Sequence, residues 1–225
     1  MSGAGEKSSG SGRLLTGVAW AVLLMSLWLW GRGAGDGAGG VSAPTTGDVA
    51  AVGRPLGVPL PPAREPLAPV GPTRVEVPSI GVSAPVVARG LDPTGAVEPP
   101  PFATPGAVGW FGTGTGTRPG AAGAALFVGH VDTRTEPAVF YGLSAVRPGE
   151  TVRVTRADGS VAVFTIDDVQ VVSRDRFDAR KVYGVHRPGR AELRLITCGG
   201  TYDKKAGSYT ANVVVSAYLT DARGV

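Results

Sequence analysis

The stretch Thr151–Ser173, TVRVTRADGSVAVFTIDDVQVVS, decides the fold class. Val152 and Val154 alternate with Arg153 and Thr155, the period of a half-buried strand. Ala157-Asp158-Gly159-Ser160 then supplies turn residues, and a second run rich in Val, Ile and Phe follows. The same grammar extends in both directions. Upstream lie RVEVPSIGVSAPVVA and AALFVGHV; downstream lie AELRLITC and TANVVVSAYL. DPTG, RPGE and RPGR punctuate them as turn signals. No long segment carries helical period, and only Pro137–Leu143 suggests a single helical turn. Many short strands in residues 73–225 predict an all-β domain, a closed or nearly closed barrel. The runs ending at Cys198 and spanning Asn212–Leu219 are expected to pair across a loop at Gly199–Thr210.

The N-terminal third reads differently. Leu14–Trp30, LLTGVAWAVLLMSLWLW, carries no charge. As a helix it would rise roughly 25 Å, near the thickness of a bilayer core. Lys7 and Arg13 precede it, which favours an inside N-terminus and an exported remainder. The expected organisation is a short cytoplasmic tail at 1–13, a transmembrane anchor at 14–30 and a flexible Gly/Pro-rich stalk at 31–72. The small residues of GRGAGDGAGG also admit a cleavable signal peptide, and either reading exports the domain. The stalk's composition buries too little apolar surface to offset its ordering entropy. Its PLGVPLPPAREPLAPVGP segment is the stiffer part.

One cysteine excludes an intramolecular disulfide and a multi-thiolate zinc site, and two histidines leave little for any metal centre. A net charge of +4 without a dense basic cluster argues against a nucleic-acid binder. No compact acidic cluster suggests a calcium site, so neither metal nor other cofactor is expected.

His130 follows the apolar run Leu126-Phe-Val-Gly, and Cys198 ends Leu193-Arg-Leu-Ile-Thr before Gly199 and Gly200. Strand ends are where rigid scaffold meets open loop. A Cys and a His in reach of one another form a thiolate–imidazolium pair or a nucleophile and its general base. The same two residues also fit a buried thiol and a satisfied core imidazole.

LFVGHVDT and LRLITCGG, 68 positions apart (198 − 130), resemble the two signature segments of sortases, the cell-wall transpeptidases of Gram-positive bacteria. VEVPSIGVSAPVV, GLDPTGAVEPP, PGAAGAALFVGHVDT and ITCGGTYDKKAGSYTANVVVSAYL extend the resemblance over about residues 73–220. GHVDT and TCGG are most similar to class F sortases of high-GC actinobacteria. The resemblance implies an eight-stranded β-barrel and a two-step acyl transfer at the cell membrane, with an extracellular catalytic domain. Cys198 would be the nucleophile, attacking the Thr–Gly carbonyl of an LPxTG-like sorting signal on a secreted protein to give a thioacyl enzyme. His130 would be its acid/base partner, and a peptidoglycan-precursor amine the acceptor. The family's Arg on the last strand is replaced here by Asn212. Arg194 is then the expected oxyanion or substrate-positioning group, with Asn212 as a second. It stands four positions before Cys198, hence on the same strand face. Asp132 is a candidate to orient His130. Arg187 and Arg190 are weaker candidates for substrate contact, and His186 reads as surface. The rivals are a tethered module that holds sorting peptides without turnover, and other Cys/His cell-wall enzymes. L,D-transpeptidases place Gly before Cys, whereas Thr197 does so here; papain-like hydrolases place Cys before His.

Overall fold

The computed structural model describes residues 59–224. The expected tail, the anchor at 14–30 and most of the stalk lie outside the described residues. Eight strands form a closed barrel: β1 (Pro72–Val77), β2 (Val82–Arg89), β3 (Val108–Phe111), β4 (Gly123–Val128), β5 (Thr151–Arg156), β6 (Val161–Ser173), β7 (Ala191–Asp203) and β8 (Ser208–Arg223). Their order around the barrel is β1-β2-β3-β4-β7-β8-β6-β5. β2–β3 and β4–β7 are parallel, and the other neighbours antiparallel.

Alternation in β5 does what the sequence dictates: Val152 and Val154 are fully buried, and Thr151 pairs with Thr165 of β6. Asp158 closes their hairpin by accepting from the Ser160 amide at 3.0 Å. The core joins Phe127 of β4, Phe164 of β6, Leu193 and Leu195 of β7 and Val215 of β8 to Phe140, which enters from the β4–β5 connection. Each such side chain contributes about 2–3 kcal/mol by leaving water.

Three features depart from expectation. A 3-10 turn forms at Leu143–Ala145, starting on the last residue of the segment Pro137–Leu143 that suggested one, and a short helix α1 occupies Ala179–Tyr183, capped by Asp178. β7 and β8 continue past Cys198 and before Asn212, so residues 204–207 alone separate them. Finally, residues 59–71, assigned to a flexible stalk, lie along the barrel. Arg64 N–H donates to Leu219 O at 2.9 Å and Leu67 N–H to Gly120 O at 2.7 Å. Tyr218 Oη donates to Pro61 O at 2.6 Å, and the buried Arg156 guanidinium donates to Ala68 O. No helix or strand forms at 59–71, and composition alone reads the segment as flexible. It did not show that side chains of the barrel satisfy this segment's carbonyls.

Candidate active site

His130 and Cys198 come together because β4 and β7 are parallel neighbours. Phe127 pairs with Leu195 and Val128 with Ile196, so the chain leaves β4 beside the residues preceding Cys198. The junction is locked from the β7 side. Gly129 N–H donates to Ile196 O at 3.1 Å, and Thr197 Oγ1 donates to Gly129 O at 2.8 Å. The Thr before Cys198 thereby sets the position of the residue before His130. Gly129 must be glycine for space: a Cβ there would stand 2.6 Å from Phe140 Cδ2 and 2.7 Å from Val139 Cγ1.

His130 is nearly buried, at 9 % exposure. Its Nε2 lies 2.6 Å from Pro100 O. A carbonyl only accepts, so Nε2 carries the proton, and Nδ1 is left as the nitrogen that takes or gives one. The ring stacks on Phe102, centroids 4.2 Å apart and planes 19° apart. Both contacts come from the Pro-rich β2–β3 connection, so a stiff backbone holds the imidazole in place.

Cys198 lies within β7, opposite Asn212 of β8, and not at the strand's end. Its side chain reaches solvent. Gly200, two positions on, takes φ +76°, and a Cβ there would meet Thr210 Oγ1 at 2.5 Å. This left-handed residue falls in the irregularity between Gly199 and Tyr202, where β7 slips register against β8. Thr201 N–H donates to that Thr210 hydroxyl at 3.0 Å. Burial pushes the Cys198 thiol up, Arg174 pulls it down and Asp132 pushes it up again. The surrounding protein's partial desolvation wins, and the thiol sits above its ordinary range. Of the two Cys/His modes open to the sequence, this environment suits a nucleophile deprotonated by a base as it attacks.

A cavity of about 730 Å³ exposes both groups, bounded also by Phe102, Asp132, Arg134, Arg174, Tyr202 and Tyr209. Asp132 sits beside His130 in sequence, but its carboxylate accepts from Tyr209 Oη, not from the imidazole. Burial and then that bond push the Tyr209 phenol well up. Asp132 thus joins the β4 end to β8, while Pro100 and Phe102 orient His130.

Arg194 is also placed elsewhere. It is 1 % exposed, and Nη2 pairs with Glu192 Oε2 at 2.6 Å and donates to Gly184 O at 2.9 Å. Glu192 accepts as well from the His186 and Arg187 amides at 2.9 and 3.0 Å. Burial disfavours its charge, but these donors together outweigh burial and hold its carboxyl below the usual range. Arg194 therefore ties down the loop before β7 and does not face the cavity. Arg190 lies over the Tyr218 ring and pairs with Asp167 at 3.6 Å, on a different surface. Arg187 lines that surface too, with Asp167 and Tyr218. Two cations line the cavity, Arg134 and Arg174; Arg174, just after β6, is the one that acts on the Cys198 thiol, and its Nη1 donates to Tyr209 O at 3.4 Å. Nothing in the sequence marks Arg174: it precedes Cys198 by 24 positions (198 − 174) and arrives only through the pairing of Ser173 with Ala211 on β8.

A profile of the sortase domain family matches residues 75–220. The chain belongs to the sortase family. Sortases are cysteine transpeptidases, the chemistry a Cys/His cavity on a β-barrel suits. Among solved structures the chain is similar to the SrtA sortase from Actinomyces oris, at 18% identity and a TM-score of 0.51, covering 76% of this chain and 89% of that one. It is similar also to sortase C1 of GBS Pilus Island 1, at 18% identity and a TM-score of 0.50, over 68% of this chain and 65% of that one. At such identity these likenesses concern the barrel. No curated protein sequence matches the chain.

Proposed function

We propose that this sortase is a membrane-anchored, class F-like transpeptidase that cleaves an LPxTG-like sorting signal and transfers the protein to a cell-wall amine. The observation that carries the reading is that His130 and Cys198 line one open cavity. His130 takes the Cys198 proton as Sγ attacks the Thr–Gly carbonyl. The tetrahedral oxyanion forms near the Arg174 guanidinium, the cation of this cavity that also stabilises the thiolate. Collapse breaks the C–N bond, the imidazolium gives its proton to the departing glycine amine, and a thioester remains on Cys198. An acceptor amine then attacks the thioester, and the thiol is restored. GHVDT and TCGG support the class F assignment. The uncharged segment Leu14–Trp30 supports anchoring, with residues 73–225 outside the membrane.

Mass spectrometry of the protein with an LPxTG-type peptide and an amine tests this. The expected result is a thioacyl adduct on Cys198 and a peptide–amine product. A peptide that binds and is never cleaved would turn the assignment into that of a binding module. Sequencing the mature N-terminus tests the anchor: a start downstream of Trp30 would show cleavage.

A further inference from the structure

A two-substrate acyl transfer needs an approach for the second substrate while the first still fills the cavity over Cys198. A second cavity, of about 550 Å³, adjoins the first: Phe102, Thr133 and Arg134 line both. Two further cavities, at Asp167–Tyr218 and around His186, share no residue with the Cys198 cavity. The second cavity has one carboxylate in its wall, that of Glu136. The loop holding it is tightly made. Thr133 N–H donates to Glu136 O at 2.8 Å, and Glu136 N–H returns to Thr133 Oγ1 at 3.2 Å. Asp132 and Pro137 bridge across its base. Among the described residues the Glu136 carboxylate enters no ion pair.

We propose that this second cavity is the acceptor site, binding a primary amine as its ammonium ion against Glu136, with Phe102 as the divide between the acceptor and the acylated Cys198. The inference rests on the transpeptidase reading above. An unpaired carboxylate on a hydrogen-bonded loop at an open cavity attracts an ammonium and offers it an acceptor. Arg134 makes the wall one of mixed sign, so the placement of the carboxylate selects the ammonium, not a net negative field. Once bound, the ammonium loses one proton to solvent. The amine nitrogen attacks the thioester carbonyl, forming C–N. The C–S bond breaks with its electron pair to Sγ, and the second nitrogen proton passes to the His130 imidazole.

The test uses the full chain, an LPxTG-type peptide and glycinamide, following the ratio of amide to hydrolysed acid by mass spectrometry. Half-capture of the thioacyl enzyme in Glu136→Gln is expected to need about fivefold more glycinamide, the size of one partly exposed ion pair. Raising salt to about 0.5 M should shrink that difference. Capture by hydroxylamine, uncharged at neutral pH, should be the same in variant and wild type. Arg134→Gln, which removes a positive charge from the same wall, should lower the glycinamide requirement. Superimposable glycinamide curves for Glu136→Gln and wild type would overturn the acceptor site. An equal loss with hydroxylamine, or an equal rise in Arg134→Gln, would overturn it too, by showing a general disturbance of the loop. Absence of any thioacyl enzyme in the wild type would instead sink the transpeptidase reading itself.

Discussion

Two points along β7, its start and its middle, are surrounded by the same kinds of charged groups and use them in opposite ways. At its start, Glu192 and Arg194 are buried and bonded to each other, to Gly184 O and to two loop amides. Further along, Cys198 opens to solvent and to the cavity that Arg174 and Asp132 also line. A buried ion pair tied to loop carbonyls and amides fixes backbone and presents no group to a substrate. Among the described residues the Arg174 cation, at the edge of an open cavity, has one hydrogen bond, to Tyr209 O, and most of its donors to spare. The lesson is that strand alternation says which residues share a face, and competition for partners says which of them are available.

The sharpest way to break this contrast is at the thiol. Cys198→Ala should abolish thioacyl formation and transfer, with an unchanged melting temperature, since an exposed side chain is lost from a closed barrel. Turnover surviving in that variant would end the assignment. Next, Arg174→Ala should lower kcat/KM by about a hundredfold, the usual effect of deleting one oxyanion donor, with little change in thermal midpoint. A near-wild-type rate would return the positioning role to other groups, Asn212 first among them.

At the start of β7 the expected signature is reversed. Glu192→Gln leaves the Arg194 cation buried without its counter-charge and should cost about 3 kcal/mol of stability by denaturant titration. The protein that remains folded should turn over within a few-fold of wild type. Replacing both, as Glu192→Met with Arg194→Leu, should recover most of the loss. If instead Arg194→Ala cut kcat/KM more than Arg174→Ala in folded protein, the contrast drawn here would be wrong.

The smallest effect is a shift in titration. Burial places the Cys198 thiol above its ordinary range, so the pH midpoint of its alkylation should exceed that of a free cysteine. Arg174 favours the thiolate, so Arg174→Ala should move the midpoint up. Asp132 disfavours it, so Asp132→Asn should move it down. Opposite signs would show that other charges govern the thiol.

These contrasts mark where the sequence was legible. Periodicity revealed the strands, because alternation reports directly on which face meets the core, as Val152 and Val154 do. Cys198 and His130 were legible because the apolar runs before them pair as β4 and β7. Arg194 was misplaced because two residues of spacing bring Glu192 alongside it, and a buried carboxylate takes the guanidinium before any substrate can. Asp132 went to Tyr209, 77 positions away, a partner no local pattern could reveal. Arg174 reaches the cavity through the register of β6 with β8, and the path of the β2–β3 connection brings Phe102 to the cavity and Pro100 to His130. Those follow from the closed barrel and from no motif.

The parallel pairing of β4 with β7 has a consequence for the birth of the enzyme. Strands β5 and β6 are made in between, and β7 finds its place only between β4 and β8. The clamp from Ile196 and Thr197 onto Gly129 therefore cannot form until the C-terminal part of the chain has been synthesised and the ring has closed. Contacts so distant along the chain assemble late and slowly. A nascent or partly folded chain thus lacks the juxtaposed Cys198 and His130, and the acyl transfer proposed above would wait for the ring to close.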